Sequence, residues 1–159
     1  MSARWKPIAG TGGSYEVSDY GDVRSTDGVD TRGRRRTGCT LRQQTTARGG
    51  HRYVTLRMQG RKRNVYVHRL VLDAFVGPCP PGLEPRHGNG HPADNRLANL
   101  QWDTRSENTR DRVRHGTHHE TVKTHCPAGH PYQGANLLRD GRRRRCRTCR
   151  TAQRKAAAR

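Results

Sequence analysis

The stretch RHGNGHPADNRLANLQWDTRSENTRD, residues 86–111, decides how this chain is read. Asn99 follows His87 by twelve positions, and Asn108 follows Asn99 by nine. A short extended segment is expected around His87, and a second over Leu100-Gln101-Trp102. Thr104-Arg105-Ser106-Glu107 has the form of a capping box: Thr104 would cap free N–H groups and Glu107 would reach back. The helix so started is expected to run to about Arg114, with Gly116 supplying its end. Asn108 would then lie in its first turns, facing back toward the strand pair.

Upstream, Leu70, Val71, Ala74 and Phe75 fall on one helical face, and Gly77 then Pro78 stop that helix. The loop from Cys79 to Arg86 carries three prolines. Hydrolysis of a phosphodiester needs an activated water and charge stabilisation at the phosphate and the leaving oxygen. A neutral imidazole suits the first task near pH 7. A divalent ion held by a few oxygen ligands, with positions left open, suits the second. A lone His or Asn in a polar loop is usually structural, so the argument rests on joint spacing, with His68-Arg-Leu-Val before it and Asn-Leu-Gln-Trp within it.

That pattern resembles the core of HNH endonucleases, the ββα-metal nucleases, in the branch where Asn replaces the last His. The resemblance covers residues 64–116 well and 1–60 loosely. It implies that His87 is the general base and that Asn99 orients it or shapes the loop between the strands. It also implies that Asn108 supplies an oxygen to Mg²⁺ or Mn²⁺. Two positions depart from the family pattern. An Asp often precedes the catalytic His, where this chain has Arg86; an acid often follows two residues later, where it has Asn89. Asp94, Asp103, His91 and Glu84 are the alternatives for the missing ligand, and Arg86 could instead grip the scissile phosphate. His68 is expected at a helix N-terminus, bonding to the loop that carries His87, rather than as a ligand.

Residues 1–60 read as short strands and turns. Tyr15-Glu16-Val17-Ser18 and Val23-Arg24-Ser25 flank a turn at Asp19–Asp22, and Tyr53–Met58 and Arg63–Val67 flank one at Gln59-Gly60. Residues 26–50, with Arg34, Arg35 and Arg36 consecutive, read as a loop. Trp5, Ile8, Tyr15–Ser18, Gly21 and Val23–Ser25 resemble a modular DNA-binding motif often found ahead of HNH cores.

Residues 117–159 read as a separate tail. Cys126-x₃-His130-x₁₅-Cys146-x₂-Cys149 offers four soft ligands in two pairs, each across a tight turn, as tetrahedral zinc requires. His125 is an alternative to His130. A closed site of this kind is structural and would fold a tail too polar to order itself. Arg142–Arg145 would then present a basic knuckle, with Arg143 and Arg144 on the phosphate backbone.

Composition agrees. Lys and Arg number 32 against 13 Asp and Glu, a net charge of +19 on 159 residues. Such a charge repels itself in a compact state unless a polyanion neutralises it, and double-stranded DNA is the expected partner. Only 30% of residues are apolar, with one Phe, two Met and two Trp, so the core must be thin and metals or partners are expected to support it. The odd cysteine count, five with three clustered late, favours metal binding over disulfides. No apolar run approaches the roughly 18 residues needed to span a bilayer. The N-terminus lacks a signal-peptide core, so a cytoplasmic location is expected.

The reading is therefore an α+β protein in three parts. Residues 1–60 form an N-terminal β DNA-binding motif, 61–116 an HNH core, and 117–159 a zinc-knuckle tail. The resemblance extends to phage homing-type endonucleases that nick or break DNA. One alternative is a DNA-binding regulator that keeps the scaffold without cleavage, favoured by Arg86. Another is an RNA-binding basic protein, which would need exposed aromatics for stacking, and aromatics make up only 5% of the chain.

Overall fold

The computed structural model describes residues 2–29, 32–141 and 143–157. Arg142 lies outside the described residues. The chain divides into two compact units, Met1–Asp111 and Arg112–Arg159.

The first unit opens with an antiparallel sheet of β1 (Trp5–Pro7), β2 (Tyr15–Ser18) and β3 (Val23–Ser25), in that spatial order. The turn between β2 and β3 holds Gly21 at φ +88, a conformation that L side chains rarely adopt. Arg24 bonds Glu16 across the sheet at 2.7 and 2.9 Å, and its guanidinium lies 4.0 Å over the Trp5 ring. Residues 26–50 are more ordered than the expected loop. Val29 pairs with Arg35 and Gly28 with Arg36, joining β4 (Gly28–Val29) to β5 (Arg35–Arg36), and β6 (Gln44–Thr45) joins a second sheet. Two-residue strands of Gly and Arg carry no alternation long enough to be read in advance.

That second sheet is β6, β7 (Arg52–Met58) and β8 (Arg61–Tyr66), with β7 central. Gln59 (φ 51) and Gly60 (φ 77) both take left-handed conformations, which is the turn a two-residue hairpin requires. Period-two alternation sends Val54 and Leu56 inward from β7. Helix α1 (Val67–Phe75) follows at once and buries Val67, Leu70, Val71 and Leu72. It stops where Val76 and Gly77 both donate to the Leu72 carbonyl. The core joins Ile8, Val17 and Val23 of the first sheet, Val54 and Leu56 of the second, four α1 residues, and Leu100. It is built largely of valines. Residues on either side of position 60 thus share one core.

The remainder of this unit is β9 (Leu83–His87), a loop with a short 3₁₀ turn at Leu97–Asn99, β10 (Leu100–Thr104) and α2 (Arg105–Arg114). β9 and β10 pair antiparallel, with His87 opposite Leu100, Arg86 opposite Gln101 and Glu84 opposite Asp103. Trp102 donates its indole N–H to the Gly77 carbonyl at 3.0 Å, fastening the ribbon to the end of α1. Half of the capping box is formed: the Glu107 N–H donates to Thr104 Oγ1 at 3.2 Å. The Thr104 N–H donates to Asp103 Oδ1, and Glu107 pairs with Arg110. Gly116, at φ +65, ends the helix with its N–H on the Val113 carbonyl.

The second unit contains α3 (His119–Val122), a hairpin of β11 (Leu137–Asp140) and β12 (Arg143–Cys146), and α4 (Arg147–Ala157). Cys126 and Cys146 are its buried apolar residues among those described. No helix among the described residues is long and apolar enough to cross a membrane.

A Cβ at position 21 would come within 2.7 Å of Asn95 Cβ and 3.0 Å of its carbonyl, besides taking a left-handed φ. Gly21→Ala is therefore expected to lower unfolding stability by about 1–3 kcal/mol. Urea unfolding followed by tryptophan fluorescence measures it; an unchanged midpoint would show that the turn and the Asn95 loop are not locked together.

Candidate active site

The β9–β10 ribbon has two faces because successive side chains of a strand point to opposite sides. Pro85, His87, Leu100 and Trp102 face the core and α1. Glu84, Arg86, Gln101 and Asp103 face α2.

His87 is the last residue of β9, where the ribbon opens into its loop. Its Nε2 lies 3.5 Å from the Oδ1 of buried Asn95. On its other flanks are two imidazoles, with ring centroids 5.5 Å away for His51 and 5.2 Å for His68. Burial lowers the pKa of His87 below its usual 6.5, against a smaller opposing effect from Asn95. The neutral imidazole is therefore the favoured form, which is the form a base needs.

Asn99 braces the loop. Its Oδ1 accepts the Asn89 N–H at 2.9 Å and its Nδ2 donates to the Asp94 carbonyl at 2.9 Å. Both bonds lie within the loop between the two strands. Asp94 is held by Arg96 at 2.7 and 2.8 Å and by the Asn89 amide at 2.8 Å, and Arg96 pulls its pKa well below the ordinary carboxylate range. The loop is tied to the first sheet through the Leu97 N–H, which donates to the Asp19 carbonyl at 2.8 Å.

On the α2 face, Asn108 Nδ2 donates to Glu84 Oε1 at 2.7 Å and to the Pro85 carbonyl at 3.3 Å. Among the alternatives for the missing acid, Glu84 is thus the one placed against Asn108. Arg86 donates its Nη1 to Asp103 Oδ2 at 2.8 Å and its Nε to the buried Asp111. Its guanidinium is directed at two carboxylates of its own fold. Asp111 belongs to no short-range pattern with Arg86, being 25 residues away, so sequence reading had no signal for it.

His68 also departs from expectation. Its ring is buried, stacked 5.3 Å from Tyr66, and its Nδ1 has no hydrogen-bond partner among the described residues. It meets the His87 side chain rather than bonding to the loop. His51, which sequence reading passed over, completes a cluster of three histidines. It precedes a strand in a Gly-rich turn, and nothing in its neighbours marks it.

In the second unit, Cys126, His130, Cys146 and Cys149 are brought together. Cys126 Sγ lies 3.7 Å from Cys149 Sγ and 3.5 Å from His130 Nδ1, which is 3.3 Å from Cys149 Sγ. Zinc bonds of about 2.3 Å to sulfur and 2.0–2.1 Å to nitrogen, arranged tetrahedrally, imply separations of about 3.5–3.8 Å, so the cluster fits such an ion. The Cys149 N–H and the Asn136 amide lower the Cys146 thiol to about 6, toward the thiolate that binds metal. His125 is turned to Thr124 Oγ1 at 2.9 Å and is not part of the cluster.

The basic residues are unequal. Arg35, Arg36 and Arg143 are exposed. Arg144 donates to the Lys123 carbonyl at 2.9 Å and lies 5.1 Å over the Tyr132 ring, so it holds the tail's own fold together.

Two paired strands and a helix thus form a ββα unit, with a terminal-strand histidine on one face and an amide–carboxylate pair on the other. Residues 65–110 match the HNH endonuclease family, and residues 4–57 match the NUMOD4 motif. The HNH similarity thus falls on the β9–β10–α2 segment, and the NUMOD4 similarity on the sheets ahead of it. It is 34% identical over 113 residues to the DNA endonuclease I-HmuI of Bacillus phage SP01, covering 71% of this chain and 59% of that protein. It also superposes on a solved structure of DNA binding and cleavage by the HNH homing endonuclease I-HmuI. That match has a TM-score of 0.56 and 32% identity, and covers 72% of this chain and 60% of the other. The chain thus spans about three-fifths of the length of this relative.

Burial lowers the pKa of His51, His68 and His87, that of His68 to about 3 from 6.5. Below pH 6.5 the unfolded chain takes up protons that the folded chain refuses. With the three histidines metal-free, stability of the first unit is expected to be full above pH 6.5 and to fall as pH drops from there toward 3. Both tryptophans, Trp5 and Trp102, lie in this unit. Urea midpoints read by their fluorescence between pH 7.5 and 4 test the slope; a rise toward acid would mean the cluster is held protonated.

Proposed function

We propose that this chain is a metal-dependent DNA endonuclease of homing type, hydrolysing phosphodiester bonds in double-stranded DNA. The observation that carries the reading is His87. It sits at the open end of a ββα ribbon, inside the segment that matches the HNH family, and burial keeps it neutral. His87 takes a proton from the attacking water. Asn99 keeps the loop beyond the ribbon in one shape, and Asn95 sets the position of the His87 ring through Nε2. Glu84 and Asn108, a carboxylate and an amide in contact, are a hard-oxygen donor set that suits Mg²⁺ or Mn²⁺. When bound, the ion supplies stabilisation of charge on the phosphate and the leaving oxygen. The exposed Arg35, Arg36 and Arg143 contact DNA phosphates, and the +19 charge makes counterion release a large part of affinity. Zinc in the Cys126–His130–Cys146–Cys149 site orders the second unit.

A second reading has a specific observation behind it. Arg86 stands where the family often has an acid, and it is neutralised by Asp103 and Asp111. That position therefore offers no carboxylate to a cation, and this supports a DNA-binding regulator that keeps the scaffold without cutting. One assay separates the two: supercoiled plasmid with Mg²⁺ or Mn²⁺, with and without chelator. Cutting that chelator abolishes is expected, and DNA binding without cutting supports the regulator.

His87→Ala is expected to slow cutting by on the order of 10²–10⁴-fold while leaving DNA binding nearly intact. Full activity in the purified variant would remove His87 from the mechanism. After dialysis, the protein is expected to retain about one zinc per chain, as for a closed four-ligand site. Metal analysis should find that zinc missing from Cys146→Ser; wild-type protein without zinc would leave the tail cluster without a role.

A further inference from the structure

Three histidines from distant parts of the first unit converge on one point. His51 lies just ahead of β7, His68 in the first turn of α1, and His87 at the end of β9. Their ring centroids form a near-equilateral triangle with sides of 5.1, 5.2 and 5.5 Å. Interplanar angles of 65°, 83° and 42° exclude mutual stacking. One nitrogen from each ring lies within 4.8 Å of the other two. His68 is only 6% exposed and His51 half-buried, yet the Nδ1 atoms of both are buried with no hydrogen-bond partner among the described residues. Buried polar atoms left unpaired are uncommon and call for a partner.

A tetrahedral ion with zinc–nitrogen bonds of about 2.0–2.1 Å would hold three imidazole centroids about 5.2 Å apart. The triangle already has that size. Closure to bonding distance needs the nitrogens to approach to about 3.4 Å, a rotation of the rings rather than a movement of the backbone. Three imidazoles without a carboxylate among them select borderline transition ions over magnesium, whose preference is for oxygen.

We propose that His51, His68 and His87 form a second metal site, for a transition ion of the zinc class, and that its occupancy withdraws His87 and switches off DNA cutting. The site draws one ligand from the NUMOD4 segment and two from the HNH segment, so an ion there also fastens the two together. Three protein ligands leave the fourth position open. The metal site stands on the geometry alone. The switch rests on the reading of His87 as the general base.

The test uses the full chain with zinc already in its cysteine site. Zinc is titrated in competition with a chromogenic chelator, in wild type and in His51→Gln and His68→Gln, with circular dichroism as the check on folding. Wild type is expected to bind one equivalent beyond the first, raising the melting temperature, and both variants to lose that equivalent. Should His68→Gln fail to fold, the half-buried His51→Gln decides. In parallel, Mg²⁺-dependent plasmid cutting by wild type is expected to fall at least tenfold as the second equivalent fills, and to return on chelation. Absence of a second equivalent, or its persistence in His51→Gln, overturns the site. A second equivalent that leaves cutting undiminished overturns the switch. A second equivalent lost in the variants, in a protein that cuts no DNA with or without zinc, supports the site and overturns instead the reading of His87 as a base.

Discussion

Everything in the first unit depends on the register in which β9 meets β10. His87 lies opposite Leu100 and Arg86 opposite Gln101. Because side chains alternate, a slip of one residue would exchange the two faces of the ribbon. His87 would leave the other histidines and Trp102 would leave the core. Glu84 and Arg86 would lose Asn108 and Asp111. The register is held at one end by the Gly88 N–H on the Asn99 carbonyl, and at the other by Trp102 on the end of α1.

The thinness of the core explains where the remaining order comes from. A cluster of valines and leucines joins the two N-terminal sheets, α1 and β10, and the loop from residue 88 to 99 reaches it through Leu97. The rest of that loop is held by polar bonds: Asn99 within it, Asp94 with Arg96, and the Asp19 carbonyl from the first sheet. The NUMOD4 segment therefore bears on the nuclease loop directly, with Gly21 packed on Asn95 beside His87. The second unit has still less apolar material, and its two buried cysteines belong to its cysteine–histidine cluster.

Arg86 places a guanidinium on the face of the ribbon that meets α2, and with it a charge that must be neutralised. Asp103 from the ribbon and Asp111 from α2 supply the neutralisation, and so tie the helix to the strand pair. A partly buried ion pair of this kind is costly to break from one side, because the remaining charge is left without a partner. Arg86 is thus part of the packing between ribbon and helix, while Asn108 donates its amide N–H to Glu84 beside it.

Much of this was legible in the sequence because the signals are local. The spacing of His87, Asn99 and Asn108, the Thr104 cap, the Gln59-Gly60 turn, the Gly77-Pro78 stop and the Cys/His pairs each depend on a few neighbouring residues. The two-residue strands within 26–50 were not legible, since so short a run has no period. Tertiary structure alone decided which of the four candidate residues stands against Asn108, and that Arg86 pairs with Asp111. It alone decided that Arg144 folds the tail, and that His51 and His68 close on His87. Each of these unites residues 17 or more positions apart. No local pattern encodes such a meeting. It follows from the shared core that brings β7, α1 and β9 together and from the alternation that selects which face each side chain takes.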